Sequence, residues 1–113
     1  MKEINNITII GSGNVGTHLA EKLFSFGYTI DCIFGLREES GKFLAKKTSS
    51  KYTNNQGEIP KDSDLYIVAL KDDLYLDLLS KISLNENLVV HTSGSFESEQ
   101  LQKITYRWGC LYP

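Results

Sequence analysis

Residues Ile7 to Ala20, which read I-T-I-I-G-S-G-N-V-G-T-H-L-A, constrain the fold of this chain more than any other segment. The apolar, β-branched run at their start predicts a strand over Asn6–Ile10 that stops at Gly11. Apolar residues then recur at helical spacing, at Val15, Leu19, Ala20, Leu23 and Phe24. The segment therefore predicts a strand, a tight turn and a helix that runs from Asn14 to Phe26.

Three glycines, Gly11, Gly13 and Gly16, give this turn the spacing G-x-G-x-x-G. In dinucleotide-binding turns, the first glycine permits a sharp exit from the strand, the second admits a pyrophosphate to the backbone, and the third brings the helix close to the strand. The helix N-terminus adds unpaired N–H groups and a positive dipole end. Glycines that serve packing alone are the alternative, but the position between a strand and an amphipathic helix favours phosphate binding.

The rest of the chain alternates strand-like and helix-like segments. Further strands are predicted at Tyr28–Phe34, Lys51–Thr53, Leu65–Leu70, Leu88–His91 and Trp108–Tyr112. Further helices are predicted at Glu38–Lys47 and at residues 73–82 and 96–104. Phe43 and Leu44 are expected to be the main apolar contacts of the helix at Glu38–Lys47. Gly27 is a natural C-cap for the first helix, and Asn85 to Asn87 predicts a turn.

Strands that alternate with helices at these lengths predict right-handed crossovers and a parallel sheet. We therefore expect an α/β fold, a doubly wound and mainly parallel sheet of about six strands with helices on both faces. The 113 residues suffice for one domain with its own core. Ligands of such sheets bind at the carboxyl ends of the strands, where the strand order reverses.

Composition excludes several classes of function. The formal net charge of −2 gives no strong attraction to nucleic acid or to an anionic membrane. No apolar run approaches the roughly 20 residues that span a bilayer, and the amino terminus does not resemble a secretory signal. Cys32 and Cys110 are expected to be reduced core thiols, which fits a cytoplasmic protein. The cysteines and histidines lack metal-ligand spacing, so no metal site is predicted.

The segment after the second predicted strand bears on the choice of dinucleotide. Turns that prefer NAD place Asp or Glu about 20 residues beyond the glycines to hold the ribose 2′-hydroxyl. This chain has Phe34-Gly35-Leu36-Arg37 at that place, and Asp31 falls too early in the strand. Because a guanidinium is a planar, charged donor for a 2′-phosphate, Arg37 favours NADP, with NAD as the alternative. An exposed arginine without a ligand is the competing interpretation of Arg37.

A polar cluster follows the strand predicted at Leu88–His91. The run Val90-His91-Thr92-Ser93-Gly94-Ser95 brings a histidine and three hydroxyls to a strand end, where Thr92 is expected to contact the cofactor. His91 suits general acid or base chemistry near neutral pH, and Ser93 suits a hydrogen bond to a carbonyl. Capping of the next helix by Ser93 or Ser95 is the structural alternative. His18, on the first helix, is expected to be a surface residue.

With these residues in view, the chain resembles a bacterial Rossmann-like family of NADP-dependent oxidoreductases. That family is related to the group of coenzyme F420-dependent NADP oxidoreductase and pyrroline-5-carboxylate reductase. The resemblance is carried by I-T-I-I-G-S-G-N-V-G-T-H-L-A, D-L-Y-I-V-A-L-K-D-D at Asp64 to Asp73, V-H-T-S-G-S at Val90 to Ser95, and the closing G-C-L-Y-P. The glycine turn is shared with many enzymes, whereas H-T-S-G-S and the terminal Y-P are more specific.

The resemblance implies cofactor-binding roles along the glycine turn, at Gly11, Ser12, Gly13, Asn14, Val15 and Gly16. It also implies that Leu70, Lys71 and Ser93 line the nicotinamide side. Residues 1–113 would then form an NAD(P)-binding domain, without the helical substrate and dimerisation domain of such relatives. We expect an oxidoreductase that transfers hydride between NADP and a small carbonyl or imine, and that forms a homodimer. A non-catalytic module that senses NAD(P) is the alternative.

Overall fold

The computed structural model describes residues 4–69, 85–91 and 105–110, and these residues form a six-stranded sheet with two α-helices. In chain order the elements are β1 (Asn6–Ile10), α1 (Asn14–Ser25), β2 (Thr29–Phe34), α2 (Glu38–Lys47), β3 (Lys51–Thr53), a 3-10 turn (Gln56–Glu58), β4 (Leu65–Val68), β5 (Asn85–His91) and β6 (Thr105–Cys110).

The sheet has the strand order β3-β2-β1-β4-β5-β6, and every neighbouring pair is parallel. The chain runs outward from β1 to β3 and then returns to place β4 on the other side of β1. The strand order therefore reverses between β1 and β4, which is where such sheets bind ligands. This topology confirms the predicted Rossmann-like α/β fold.

Both faces of the central strands are buried. On one face Ile7, Ile9, Ile33 and Ile67 pack in a cluster with side chains of α1 and α2. Ile10, Phe34, Tyr66 and Val68 are equally buried. Because a parallel strand in the centre of such a sheet is covered on both faces, its sequence is apolar almost throughout rather than alternating. The helices predicted at residues 73–82 and 96–104 lie outside the described residues.

Several predicted boundaries agree with the structure, and two are wrong. The strands at Asn6–Ile10 and Lys51–Thr53 and the helix at Glu38–Lys47 have the predicted bounds. The predicted turn at Asn85–Asn87 is instead the start of β5, where Asn85 pairs with Thr105 across a register irregularity. The last strand begins at Thr105 rather than at Trp108, and its predicted end at Tyr112 lies outside the described residues. A sheet ladder uses backbone groups alone, so polar residues extend a strand wherever a neighbour is in register.

Gly27 lies just past α1 with a positive φ of 97°, as its role at the helix end predicts. The apolar stripes of the two helices are narrower than predicted. Val15 and Phe24 on α1 are 38% and 39% exposed, and Phe43 on α2 is 62% exposed. On α2 the residues that face the sheet are Gly41, Leu44 and Ala45, and Phe43 lies off that stripe. The ammonium of Lys47 lies 4.7 Å from the centre of the Phe43 ring, so the ring is partly covered from the solvent side.

Candidate functional site

A cleft of about 690 Å³ opens at the carboxyl edge of the sheet, beside the point where the strand order reverses. The β1–α1 turn and one side of α1 form its first wall, and the β2–α2 turn forms its second. Its lining residues are Gly11, Ser12, Gly13, Asn14, Thr17, His18, Glu21, Leu36, Arg37, Ser40 and Ala69. The glycine turn predicted to bind phosphate therefore lies in the wall of a cleft.

The geometry of the turn requires glycine at two of its three glycine positions. Gly11 has a φ of 120°, which residues with a side chain rarely adopt, and its N–H donates to Phe34 O at 2.6 Å. A Cβ on Gly16 would clash with the carbonyl of Gly11, so glycine there lets α1 lie against the end of β1. A Cβ on Gly13 would meet no atom within 4 Å. The space above Gly13 is therefore open to a ligand.

The N-terminus of α1 is suited to an anion. Its N-cap, Gly13, provides no side-chain cap, and the first turn contains no acidic residue. Thr17 N–H donates to Gly13 O at 2.9 Å, which begins the helical hydrogen bonds. The N–H groups before Thr17 thus have no carbonyl partner within the helix. Unpaired N–H groups and the positive end of the helix dipole favour a phosphate at this place.

The second wall is held in place by Tyr52. The Tyr52 hydroxyl donates to Gly35 O at 2.7 Å, and burial raises the pKa of that hydroxyl above its ordinary value. A Cβ on Gly41 would clash with the Tyr52 ring, and one on Gly35 would clash with Ser12. These close contacts fix the turn that carries Leu36 and Arg37 along the cleft.

The charges around the cleft leave Arg37 available to a ligand. The Glu38 carboxylate, next to Arg37 in the chain, pairs with the Lys42 ammonium, and this hydrogen bond lowers the pKa of Glu38. Glu21, on the opposite wall, pairs with Lys47 at 3.1 Å. Arg37 is exposed and has no ion-pair partner within residues 4–69, 85–91 and 105–110. An anion in this cleft would therefore find an uncommitted guanidinium.

Two serine hydroxyls join the two walls. The Oγ atoms of Ser12 and Ser40 lie 3.4 Å apart, and Ser40 Oγ also donates to Arg37 O at 3.4 Å. Hydrogen bonds of this length are weak, so both hydroxyls can turn towards a bound oxygen at little cost. The described part of the cleft thus offers N–H groups, hydroxyls and a guanidinium, a set of donors typical of phosphate binding.

The structure brings together some of the predicted site residues. Gly11, Ser12, Gly13, Asn14 and Arg37 line the cleft, and Gly16 lies directly beneath the turn. Val15 is not among the lining residues of the cleft. The backbone of His91 ends β5 and pairs with Val68 and Cys110 at the carboxyl edge. Leu70, Lys71, Thr92 and Ser93 lie outside the described residues.

Six lining residues were absent from the sequence-based set: Thr17, His18, Glu21, Leu36, Ser40 and Ala69. Thr17, His18 and Glu21 follow Asn14 on α1 by three, four and seven residues. This spacing places the four residues on one side of the helix. That polar stripe, Asn14-Thr17-His18-Glu21, was the sequence signal for a helix wall beside the turn. The contribution of Ser40 depends on how α2 packs beside α1.

Two absences hold for the part of the chain that the structure describes. No helix there is long and apolar enough to cross a membrane. No three His, Cys, Asp or Glu side chains there come together as they would around a metal ion.

Comparisons with known proteins agree with this geometry. The sequence profile of a family described as "NADP oxidoreductase coenzyme F420-dependent" matches residues 6–94. The solved structure of a candidate NADP oxidoreductase from Bacteroides fragilis is 34% identical with a TM-score of 0.88, and the match covers 97% of this chain and 44% of that one. No curated protein shows significant similarity to the chain.

Two further solved structures share the fold at lower identity. An imine reductase variant from Myxococcus stipitatus, in complex with NAD+, is 21% identical over 100% of this chain and 42% of its own, with a TM-score of 0.79. A pyrroline-5-carboxylate reductase from Coxiella burnetii is 21% identical over 89% of this chain and 40% of its own, with a TM-score of 0.67. The chain thus spans less than half the length of these three structures.

Proposed function

Because this chain belongs to the coenzyme F420-dependent NADP oxidoreductase family, we propose that it is the cofactor-binding domain of an oxidoreductase that transfers hydride between NADP(H) and a small carbonyl or imine. The observation that carries the proposal is the glycine turn. Gly13 is the N-cap of α1, so the open space at its Cβ position adjoins the helix end whose N–H groups are unpaired. A pyrophosphate fits this arrangement in charge and in hydrogen bonding.

Three features of the described residues support NADP over NAD. The three residues directly after β2, where a ribose 2′-hydroxyl would be held, are Gly35, Leu36 and Arg37. None of them is a carboxylate, and Arg37 lines the cleft there. Asp31 lies at the opposite edge of the sheet, where its Oδ2 accepts hydrogen bonds from Asn6 Nδ2 at 2.8 Å and Ser63 Oγ at 2.7 Å. Its carboxylate is therefore engaged far from the cleft, and Arg37 is the group that would meet a 2′-phosphate.

In this proposal the protein binds and orients, and the cofactor supplies the hydride chemistry. Gly11 to Gly16 hold the pyrophosphate, and Arg37 holds the ribose phosphate. His91 is proposed as the proton donor to the substrate, since it ends β5 beside β4 at the edge where ligands of this fold bind. Ser93 is proposed to bond a substrate carbonyl or the carboxamide of the nicotinamide. A helical domain, as the resemblance implies, would complete the substrate site.

Calorimetric titration of the chain with NADPH and with NADH tests the cofactor assignment. We expect tighter binding of NADPH, and we expect Arg37→Ala to weaken NADPH binding roughly tenfold with NADH unchanged, because a charge-assisted pair to the 2′-phosphate is lost. Lys46→Ala is the matched control, since it removes an exposed cation from α2 outside the cleft. Equal affinity of the unmutated chain for both dinucleotides would refute the NADP assignment.

A further inference from the structure

His18 lies on the wall of the cleft that faces Arg37, although its sequence context marks it as an ordinary surface residue. We propose that His18, like Arg37, binds the ribose 2′-phosphate, but from the α1 side of the cleft, and so contributes to the preference for NADP. The inference rests on the proposed function, because it presupposes that the chain binds NADP(H) in this cleft.

The position of His18 along α1 separates it from the pyrophosphate. It follows Asn14 by four residues, which is one turn and about 6 Å along the helix axis. The unpaired N–H groups that suit the pyrophosphate all lie before it, in the first turn. His18 lines the cleft from α1, and Arg37 and Ser40 line it from the other wall. A phosphate held by Arg37 would lie between the two walls.

The neighbours of His18 on the same helix side are already committed. Thr17 Oγ1 donates to Ser12 O at 3.1 Å, and the Glu21 carboxylate pairs with Lys47 at 3.1 Å. The His18 side chain is exposed and makes no hydrogen bond or ion pair within residues 4–69, 85–91 and 105–110. Its imidazole is therefore available to a ligand, and a ring N–H is a suitable donor to a phosphate oxygen.

The charges facing His18 permit this role. Arg37 is the cation on the opposite wall, and Glu21, three residues further along α1, is the carboxylate among the lining residues. Because Lys47 pairs with Glu21, this carboxylate opposes a phosphate less than a free one would. A 2′-phosphate at this place would have a guanidinium on one side and an imidazole on the other, whereas the 2′-hydroxyl of NAD would gain little from either.

The test uses titration of the chain with four probes: NADPH, NADH, adenosine 2′,5′-bisphosphate and adenosine 5′-monophosphate. We expect His18→Ala to weaken binding of the two 2′-phosphorylated probes roughly tenfold and to leave the other two unchanged. Alanine is the strongest helix former, so this variant keeps α1 intact. His18→Lys should retain most of the preference, because it restores a donor with a positive charge.

Lys22→Ala is the matched control, since it removes an exposed cation from the same helix outside the cleft. It should leave all four affinities within about twofold, because charge at a distance is screened by salt. If the unmutated chain prefers NADPH and His18→Ala weakens all four probes equally or none of them, the role of His18 is refuted and the proposed function stands. If the unmutated chain binds neither dinucleotide, the proposed function and this inference both fail.

Discussion

Polar residues have opposite surroundings at the amino edge of the sheet, where its parallel strands begin, and at the carboxyl edge, where they end. At the amino edge, Asp31 accepts hydrogen bonds from Asn6 and Ser63, and Ser63 Oγ lies 2.6 Å from Thr8 Oγ1. The Tyr66 hydroxyl accepts from Ser63 N–H at 3.1 Å and donates to the Pro60 carbonyl. These polar groups bond one another, and Thr8 and Ser63 are 0% and 1% exposed.

At the carboxyl edge the polar groups are left open. The first turn of α1 has no side-chain cap, Ser12 and Ser40 make long contacts, and Arg37 is unpaired among the described residues. Buried polar groups stabilise a fold when their partners are within the protein, and open polar groups at a cleft are available to a ligand. The polar groups at the amino edge therefore stabilise the fold, and those at the carboxyl edge are available to a ligand.

The largest effect is expected within the glycine turn itself. Gly16→Ala should lower the free energy of unfolding by about 2 to 3 kcal/mol, because its Cβ would clash with the Gly11 carbonyl and force α1 away from β1. Gly13→Ala, where a Cβ meets no atom within 4 Å, should cost less than about 1 kcal/mol. Urea unfolding of the two variants measures both values.

The Gly13→Ala variant also tests ligand binding separately from stability. Gly13→Ala should weaken NADPH binding roughly tenfold or more, because its Cβ occupies the space assigned to the pyrophosphate. Calorimetric titration of the folded variant measures this loss. Unchanged affinity in Gly13→Ala would mean that the open space above Gly13 is not the phosphate site.

At the amino edge, Ser63→Ala should lower the free energy of unfolding by about 1.5 kcal/mol and leave dinucleotide affinity unchanged. The substitution removes a donor to Asp31 and the hydroxyl partner of the buried Thr8. Ser25→Ala, which removes an exposed hydroxyl from the end of α1, is the control and should change stability by less than about 0.5 kcal/mol. Weaker NADPH binding by Ser63→Ala would contradict the division between the two edges.

A smaller, pH-dependent effect is expected at Cys32, the buried neighbour of Asp31 on β2. Burial, followed by the Asp31 charge, raises the pKa of the Cys32 thiol from 9.0 to about 11. The folded chain therefore holds this proton more tightly than the unfolded chain. The thiol's contribution to the free energy of unfolding is complete below about pH 9 and is lost as the pH rises towards 11.

The free energy of unfolding, measured with urea, should be about 1 kcal/mol lower at pH 10 than at pH 8 because of Cys32. Cys32→Ala is the reference, because it retains Tyr66 and Lys42, whose raised pKa values remove stability as the pH rises past their ordinary values of 10.0 and 10.5. An equal fall in Cys32→Ala and in the unmutated chain would show that the thiol does not contribute.

Local signals predicted much of the fold. The strand at Asn6–Ile10 and the helix at Glu38–Lys47 have their predicted bounds, because apolar runs and helical spacing are properties of neighbouring residues. Phe43 was misplaced because burial on α2 follows the side that meets the sheet, not hydrophobicity alone. The start of β5 at Asn85 was missed because backbone pairing with Thr105, far along the chain, makes it a strand.

The residues of the candidate site were likewise predictable only where they lie close together in the sequence. The glycine turn could be predicted from the sequence alone, since Gly11, Gly13 and Gly16 act within one strand-to-helix junction. That His18 and Ser40 share a cleft with Arg37 depends on the tertiary fold, because packing of α1 beside α2 brings these side chains together. Spacing along the chain specifies geometry within one turn or helix, and distances between elements depend on how their side chains pack.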